Sequence, residues 1–282
     1  MRNTGICITD RGKIEYSLEG NGTTVLIVHG GHSSCRGNFD QEQLVEKGYS
    51  VLIPTRPGYG ATPIESGKTA EATADLFAAL LETLKIEKVS VIGISAGGPT
   101  ALEFAKRYPE KMNRLILEAA IVKPWFHRLT IKYYAAKIIF SPGSQKGFWD
   151  GLKRKLQNDE RKTLLDNIKL FTRLKPEDVL NKMDDDDLRV LKESMVTGND
   201  SGTGFIYDIE HRARNIEAIC CPTLIIHSKN DGCVPISHAE YAAGKIKNSE
   251  LFLAPTDSHF LYIGYGSEKV IEKRMQFLTE VN

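Results

Sequence analysis

A serine stands between two glycines in the segment Gly93-Ile94-Ser95-Ala96-Gly97, which follows the apolar run 89–92. The small residues after it open a helical pattern, so the serine falls on a sharp turn from a strand to a helix. Glycines on both sides of such a turn remove the Cβ atoms that would clash, and the hydroxyl oxygen projects into a cleft. The pattern predicts that Ser95 is a nucleophile. A solvated serine on a glycine-rich turn is the alternative.

A nucleophilic serine needs a base and an acid that orients the base. Asp231 follows the apolar run 223–227, and His259 comes after the run 250–254, so each lies past the end of a predicted strand. The order Ser, Asp, His is the one found where the serine sits on such a turn. We therefore predict Ser95 as nucleophile, His259 as general base and Asp231 as the acid.

These residues, in this order, resemble the α/β-hydrolase superfamily, and the resemblance covers essentially the whole chain. The predicted strand 24–28 runs into His29-Gly30-Gly31-His32, which looks like the family's oxyanion loop. Residues 51–62 resemble the stretch where many members carry Asp-x-x-Gly-x-Gly-x-Ser, although Thr55 stands in place of the aspartate. The resemblance is to the serine-nucleophile branch, which carries a helical cap.

The resemblance implies a carboxylesterase-like serine hydrolase (EC 3.1.1) that cleaves a carboxylic ester or related acyl compound through an acyl-enzyme. It also implies an oxyanion hole built from the backbone N–H groups of Gly31 and Ala96, with His32 as an alternative donor. A serine nucleophile argues against the dehalogenase and epoxide hydrolase branches, which use aspartate. Amidase or peptidase, carbon–carbon hydrolase and perhydrolase activities stay open, as does a slow-turnover ligand receptor or scaffold on the same fold.

Two other carboxylates compete with Asp231 for the role of the acid. Glu118 ends the predicted strand 114–118, where some family members place the acid, and Asp257 lies two residues before His259. We favour Asp231 because Gly232 permits the turn after it, whereas Asp257 is too close in sequence to reach Nδ1 of His259.

The elements that must position these residues alternate between apolar strands and helical patterns from residue 24 to 118. This alternation predicts an α/β fold with a mostly parallel, eight-stranded sheet covered by helices on both faces, preceded by an antiparallel hairpin at 6–18. Ligands bind at the carboxyl ends of such strands, so the predicted catalytic residues and the loop at 29–32 should meet at one edge.

Between residues 121 and 214 the alternation stops and the sequence becomes helical, aromatic and charged. We expect a helical cap here, inserted into a core formed by 1–120 and 215–282, that sets substrate size while the core supplies the chemistry. One amphipathic helix is expected over 124–140, and shorter ones at 147–157, 160–171, 176–181 and 185–195. The aromatic residues expected to contact substrate are Trp125, Phe126, Tyr133 and Phe148, and packing of the cap on itself is the alternative for each.

Composition narrows the class of partners. The 282 residues are 41% hydrophobic and 26% charged, with a net charge of +1, so no overall field favours nucleic acid or an anionic membrane. No window approaches the roughly 18 apolar residues of a membrane span. We expect a cytoplasmic monomer or homodimer that acts on a small acyl compound and binds neither nucleic acid nor membrane.

No metal or other cofactor is expected. The five cysteines lack a Cys-x-x-Cys spacing and are expected to be free thiols, and Cys233 near Asp231 is expected to serve packing. The acidic run 184–187 lacks the glycine and terminal glutamate of a calcium loop, so we interpret it as a solvated helix start.

Overall fold

The computed structural model describes residues 2–125, 130–141, 143–197 and 203–280. The strands, β1 to β8 in chain order, are Asn3–Thr9, Gly12–Glu19, Thr24–Val28, Ser50–Pro54, Val89–Ile94, Met112–Glu118, Thr223–Ser228 and Ser249–Ala254. They form one sheet with the order β1-β2-β4-β3-β5-β6-β7-β8. β1 and β2 pair antiparallel with each other and β2 pairs antiparallel with β4, whereas all later pairs are parallel.

The central strands are buried on both faces because their apolar residues alternate between two cores. In β3, Leu26 and Val28 contribute to one core, and Val25 and Ile27 contribute to the other. A strand presents successive side chains to opposite faces, so an uninterrupted apolar run is what a doubly covered sheet requires.

The helices, α1 to α11 in chain order, are Gln41–Glu46, Ala70–Thr83, Gly98–Arg107, Ile131–Ile139, Gln145–Asn158, Glu160–Ile168, Pro176–Leu180, Asp185–Thr197, Gly204–Asp208, Ser237–Lys245 and Ser267–Thr279. Side chains of α2, α3 and α10 fill the core on one face, and those of α1 and α11 fill the core on the other. The predicted three-layer arrangement therefore describes the molecule.

Helices α4 to α9 all fall between β6 and β7, in the interval expected to form the cap. They have a core of their own, built from residues of α6, α7 and α8 such as Leu164, Leu180 and Leu191. Ile263, which follows β8, also packs into this core and joins it to the sheet edge.

The single helix expected over 124–140 is shorter in the structure. It begins at Ile131, because the Thr130 side chain accepts a hydrogen bond from the backbone N–H of Tyr133 and caps the helix there. Trp125 precedes it in irregular structure, and residues 126–129 lie outside the described part of the chain.

Candidate active site

Ser95 lies on the turn between β5 and α3 with a backbone φ of 49°. This left-handed conformation is strained for a residue with a side chain, so the surrounding packing must hold it. A Cβ on Gly97 would lie 2.2 Å from the carbonyl oxygen of Val28, and a Cβ on Gly93 would lie 2.5 Å from the Cβ of Ala101. The turn therefore excludes side chains at both glycine positions, as the sequence predicted.

Three predicted residues meet at the carboxyl edge of the sheet. Nε2 of His259 lies 2.9 Å from Oγ of Ser95, and Nδ1 of the same ring lies 2.7 Å from Oδ2 of Asp231. These contacts join residues 164 and 28 positions apart in the chain. The parallel topology explains the meeting, because the loops after β5, β7 and β8 all leave the sheet at the same edge.

Asp231 is held in place by the backbone of its own loop. Its Oδ1 accepts hydrogen bonds from the backbone N–H groups of Cys233 at 2.7 Å and Val234 at 2.8 Å, which leaves Oδ2 for His259. Burial alone would raise the pKa of this carboxyl, but the charge and hydrogen bond of His259, with the Val234 N–H, hold it below its ordinary value of 3.8. Asp231 is therefore ionised at neutral pH and can orient the ring.

The competing carboxylates are occupied elsewhere. Glu118 is fully buried and bound by both Nε and Nη2 of Arg274, at 2.8 and 2.9 Å. Asp257 pairs with Nζ of Lys182 at 2.7 Å. Neither side chain forms a hydrogen bond with His259, so the structure assigns that contact to Asp231.

The other strand-end histidines are part of the framework. Nε2 of His227 donates to the carbonyl oxygen of Val234 at 2.9 Å, and burial lowers the pKa of this ring. Nε2 of His29 accepts from the backbone N–H of Arg56 at 2.9 Å. Burial, with the nearby Arg56 charge, lowers the pKa of His29 to about 3, so the ring is neutral.

The loop after β3 lies directly against Ser95. A Cβ on Gly30 would be 3.2 Å from that of Ser95, and a Cβ on Gly31 would be 3.8 Å from that of Ala96 and 3.2 Å from the Phe205 ring. The absence of side chains at positions 30 and 31 lets the backbone approach the serine. An oxyanion hole requires such a close approach of backbone N–H groups.

His32, the alternative oxyanion donor, follows Gly31 in this loop and has its ring among aromatic side chains. The ring stacks on Phe205 with centroids 4.1 Å apart and contacts Phe140 at 4.4 Å. Burial lowers the pKa of His32 to about 3, so the imidazole is uncharged at neutral pH.

A buried ion pair, which no motif in the sequence indicated, holds the loop after β3 in place. The Arg56 guanidinium donates to Asp208 in α9 at 2.5 and 2.8 Å, and to the carbonyl oxygens of His29 at 2.8 Å and Gly30 at 2.9 Å. The Tyr59 hydroxyl donates to the same carboxylate at 2.5 Å. The sequence shows only an arginine two residues after an apolar strand, and its partner lies 152 residues away.

A cavity of about 330 Å³ opens beside Ser95 and His259. Most of its lining is aromatic or aliphatic, which suits an apolar ligand group. The aromatic lining residues are Phe39, Trp125, Trp149, Phe171, Phe205, Phe260 and Tyr262.

The four aromatic residues predicted to contact substrate differ in position. Trp125 lines the cavity, with its indole N–H donating to the carbonyl oxygen of Cys233 at 3.1 Å. Tyr133 lies outside the lining but packs in one cluster with Phe205, which does line the cavity. Phe148 also lies outside it and is 41% exposed, because the phase of α5 turns its neighbour Trp149 inward instead. Phe126 lies outside the described residues.

The described ranges show neither a metal-binding cluster nor a membrane-spanning helix. They contain no group of three or more histidine, cysteine, aspartate or glutamate side chains that could hold a metal ion. The acidic run opens α8, where Oδ1 of Asp184 accepts from the backbone N–H of Asp187 at 2.9 Å. No described helix is both long and apolar enough to span a bilayer.

Comparison with known proteins shows what the chain resembles. A family model described as alpha/beta hydrolase fold matches residues 23–264. The chain is 36% identical over 260 residues to an uncharacterized hydrolase, YcgS, of Bacillus subtilis, covering 90% of this chain and 91% of the relative. It is 23% identical to a 2-hydroxy-6-oxononadienedioate/2-hydroxy-6-oxononatrienedioate hydrolase of Escherichia coli, covering 88% and 85% of the two chains.

Among solved structures, an alpha/beta hydrolase fold protein from Nakamurella multipartita aligns with a TM-score of 0.81 and 25% identity, covering 98% of this chain and 99% of the other. The esterase EaEST from Exiguobacterium antarcticum aligns with a TM-score of 0.68 and 21% identity, covering 99% and 100%. At that identity the second likeness shows a common fold and nothing further.

Proposed function

Because the chain belongs to the α/β-hydrolase family and has its fold, we propose that it is a serine hydrolase acting on a carboxylic ester or a related acyl compound. The observation that carries the proposal is the continuous hydrogen-bonded chain from Ser95 through His259 to Asp231 beside an apolar cavity. We further propose that residues 121–214 act as a cap over a core of 1–120 and 215–282.

In the proposed reaction, Nε2 of His259 takes the proton of the Ser95 hydroxyl while Oγ forms a bond to the acyl carbon. The carbonyl π bond opens and its electrons move to the carbonyl oxygen. When the tetrahedral intermediate collapses, the bond to the alcohol breaks and the same proton passes to the departing oxygen. Water then gives a proton to His259 as its oxygen bonds to the acyl carbon. When this second intermediate collapses, the bond between the acyl carbon and Oγ breaks and the proton passes from His259 to Oγ, which releases the acid and restores Ser95.

The negative charge that develops on the carbonyl oxygen needs hydrogen-bond donors. We assign the backbone N–H groups of Gly31 and Ala96 to this role, supported by the close approach of the two residues beside Ser95. One donor of this type contributes about 3 to 4 kcal/mol to a transition state.

Carbon–carbon bond hydrolysis is the second candidate, favoured by the 23% identical relative named for an oxo-dienedioate. Such a substrate carries two carboxylates, whereas the described lining of this cavity is mostly apolar. Its arginine, Arg36, already pairs with Glu15 at 2.6 Å, and the lining also includes the carboxylate of Glu193. We therefore rank an uncharged ester first. The five cysteines are free, which suits a reducing compartment, and we propose a cytoplasmic location.

The test uses p-nitrophenyl esters of increasing acyl length, an oxo-dienedioate and a fluorophosphonate probe. We expect multiple turnovers of at least one ester, and a single covalent adduct on the Ser95 peptide that is lost in Ser95→Ala. Labelling that survives Ser95→Ala would contradict the nucleophile assignment. Turnover of the oxo-dienedioate alone would favour the second candidate, and a single slow turnover would indicate a receptor.

A further inference from the structure

The segment after α6 touches both loops that carry the proposed acid and base. The carbonyl oxygen of Phe171 accepts a hydrogen bond from the backbone N–H of His259 at 2.8 Å and another from that of Gly232 at 3.1 Å. One oxygen atom thus joins the loop after β7, which carries Asp231 and is called the acid loop, to the loop after β8, which carries His259 and is called the base loop. The Phe171 ring also lies over the His259 ring, with centroids 5.9 Å apart and planes 26° from parallel.

Thr172 and Arg173 extend this contact along the acid loop. Thr172 forms an antiparallel bridge with Asp231, and the backbone N–H of Arg173 donates to the carbonyl oxygen of Asn230 at 2.8 Å. A Cβ on Gly232 would lie 2.6 Å from the carbonyl oxygen of Thr172, so the two backbones meet without intervening side chains.

The Thr172 side chain reaches the other loop. It is 7% exposed, its hydroxyl donates to the carbonyl oxygen of Asp257 at 2.5 Å, and it accepts from the backbone N–H of Leu174 at 3.1 Å. The segment is anchored behind by Ile168, a fully buried member of the core of α6, α7 and α8. Thr172 therefore links the base loop to a rigid support.

We propose that residues 171–173 position the acid and base loops relative to each other, and that Thr172 is a positioning residue for His259. The inserted helices then supply part of the alignment of the catalytic groups, and the expected division between a cap for specificity and a core for chemistry does not hold at this segment. The inference rests on the proposed roles of Asp231 and His259.

The acid and base loops also contact each other directly, close to the strand ends from which they leave the sheet. The Ser228 hydroxyl and the Asn230 amide both donate to the carbonyl oxygen of Thr256, at 2.5 and 3.1 Å. These contacts lie at the bases of the loops, whereas the 171–173 segment binds Gly232 and His259 next to the reacting atoms. Loss of the Thr172 hydroxyl should therefore misalign the ring without separating the loops.

The test compares Thr172→Ala with Thr172→Ser, which differ only by the hydroxyl. The matched control is Thr163→Ala in α6, since Thr163 is also buried and its hydroxyl donates at 2.7 Å to a backbone carbonyl, that of Asp159, remote from both loops. Steady-state ester hydrolysis, the rate of fluorophosphonate labelling of Ser95 and thermal melting are measured on the full chain.

We expect Thr172→Ala to lower kcat and the labelling rate roughly ten- to hundredfold with KM changed less than about twofold, since small misplacements of reacting groups cost rates of that order. Thr172→Ser should restore most of both rates, and Thr163→Ala should keep them while losing a similar amount of thermal stability. Equal rates in Thr172→Ala and Thr163→Ala would overturn the inference. If Ser95→Ala still turned over ester, the proposed function itself would fail.

Discussion

Replacement of Asp231 by asparagine should invert the hydrogen bonding of the proposed base. Oδ1 of Asp231 accepts from two backbone N–H groups, of Cys233 and Val234. An asparagine must place its one oxygen there, because an NH2 group facing two donors would leave buried groups unpaired. Its amide nitrogen then faces Nδ1 of His259 and donates to it.

The consequence reaches Ser95 through the ring. A neutral imidazole carries one proton, so a ring that accepts at Nδ1 must carry that proton on Nε2, which faces Oγ of Ser95 at 2.9 Å. It can no longer accept the serine proton. We expect a fall in kcat of about 10⁴-fold, which corresponds to roughly 5 kcal/mol in the activation free energy.

The assay is p-nitrophenyl acetate hydrolysis by Asp231→Asn beside Asp257→Asn, whose native carboxylate pairs with Lys182. Thermal melting should show that both variants fold. We expect Asp257→Asn to retain kcat within about threefold, because its partner Lys182 is 46% exposed and an ion pair open to solvent contributes little to stability. If Asp231→Asn kept kcat within tenfold of the wild type, the tautomer argument would be refuted. A larger loss in Glu118→Gln would move the acid to β6.

Trp149 lines the cavity, so Trp149→Ala should change the discrimination between long and short acyl esters by about 1 to 3 kcal/mol, whereas Phe148→Ala should leave it unchanged. Equal changes in the kcat/KM profiles of the two variants would contradict this. The pKa of His29 falls from 6.5 to about 3 on folding. Between these two pH values the unfolded chain therefore carries a proton on His29 that the folded chain does not. His29 should thus contribute about 2 kcal/mol to a decline in stability between pH 6.5 and pH 5, and the free energy of unfolding of His29→Gln, from urea titration, should decline by about that much less over the same range. Arg56→Met leaves Asp208 buried without its counter-charge and should lower the free energy of unfolding by about 3 to 5 kcal/mol, measured by urea titration; a loss below 1 kcal/mol would show that the pair is not structural.

The sequence determined the sheet and the three residues at its edge. Ser95 was identifiable because a turn this sharp needs Gly93 and Gly97, and that requirement is local. Asp231 and His259 could be paired with it without coordinates, because residues that follow parallel strands must emerge at one edge whatever the details of packing. Periodicity also predicted most helices, since the spacing of apolar residues is a property of each segment alone.

Tertiary structure decided which groups actually touch. Glu118 and Asp231 both end or follow strands, and only the buried Arg274 in a distant helix removes Glu118 from the choice. The lining by Trp149 rather than Phe148 depends on how α5 is rotated about its axis against the sheet edge, which an amphipathic pattern does not specify. The contact of Phe171 with both loops is made by a backbone carbonyl, an atom common to every residue, so no sequence pattern marks it.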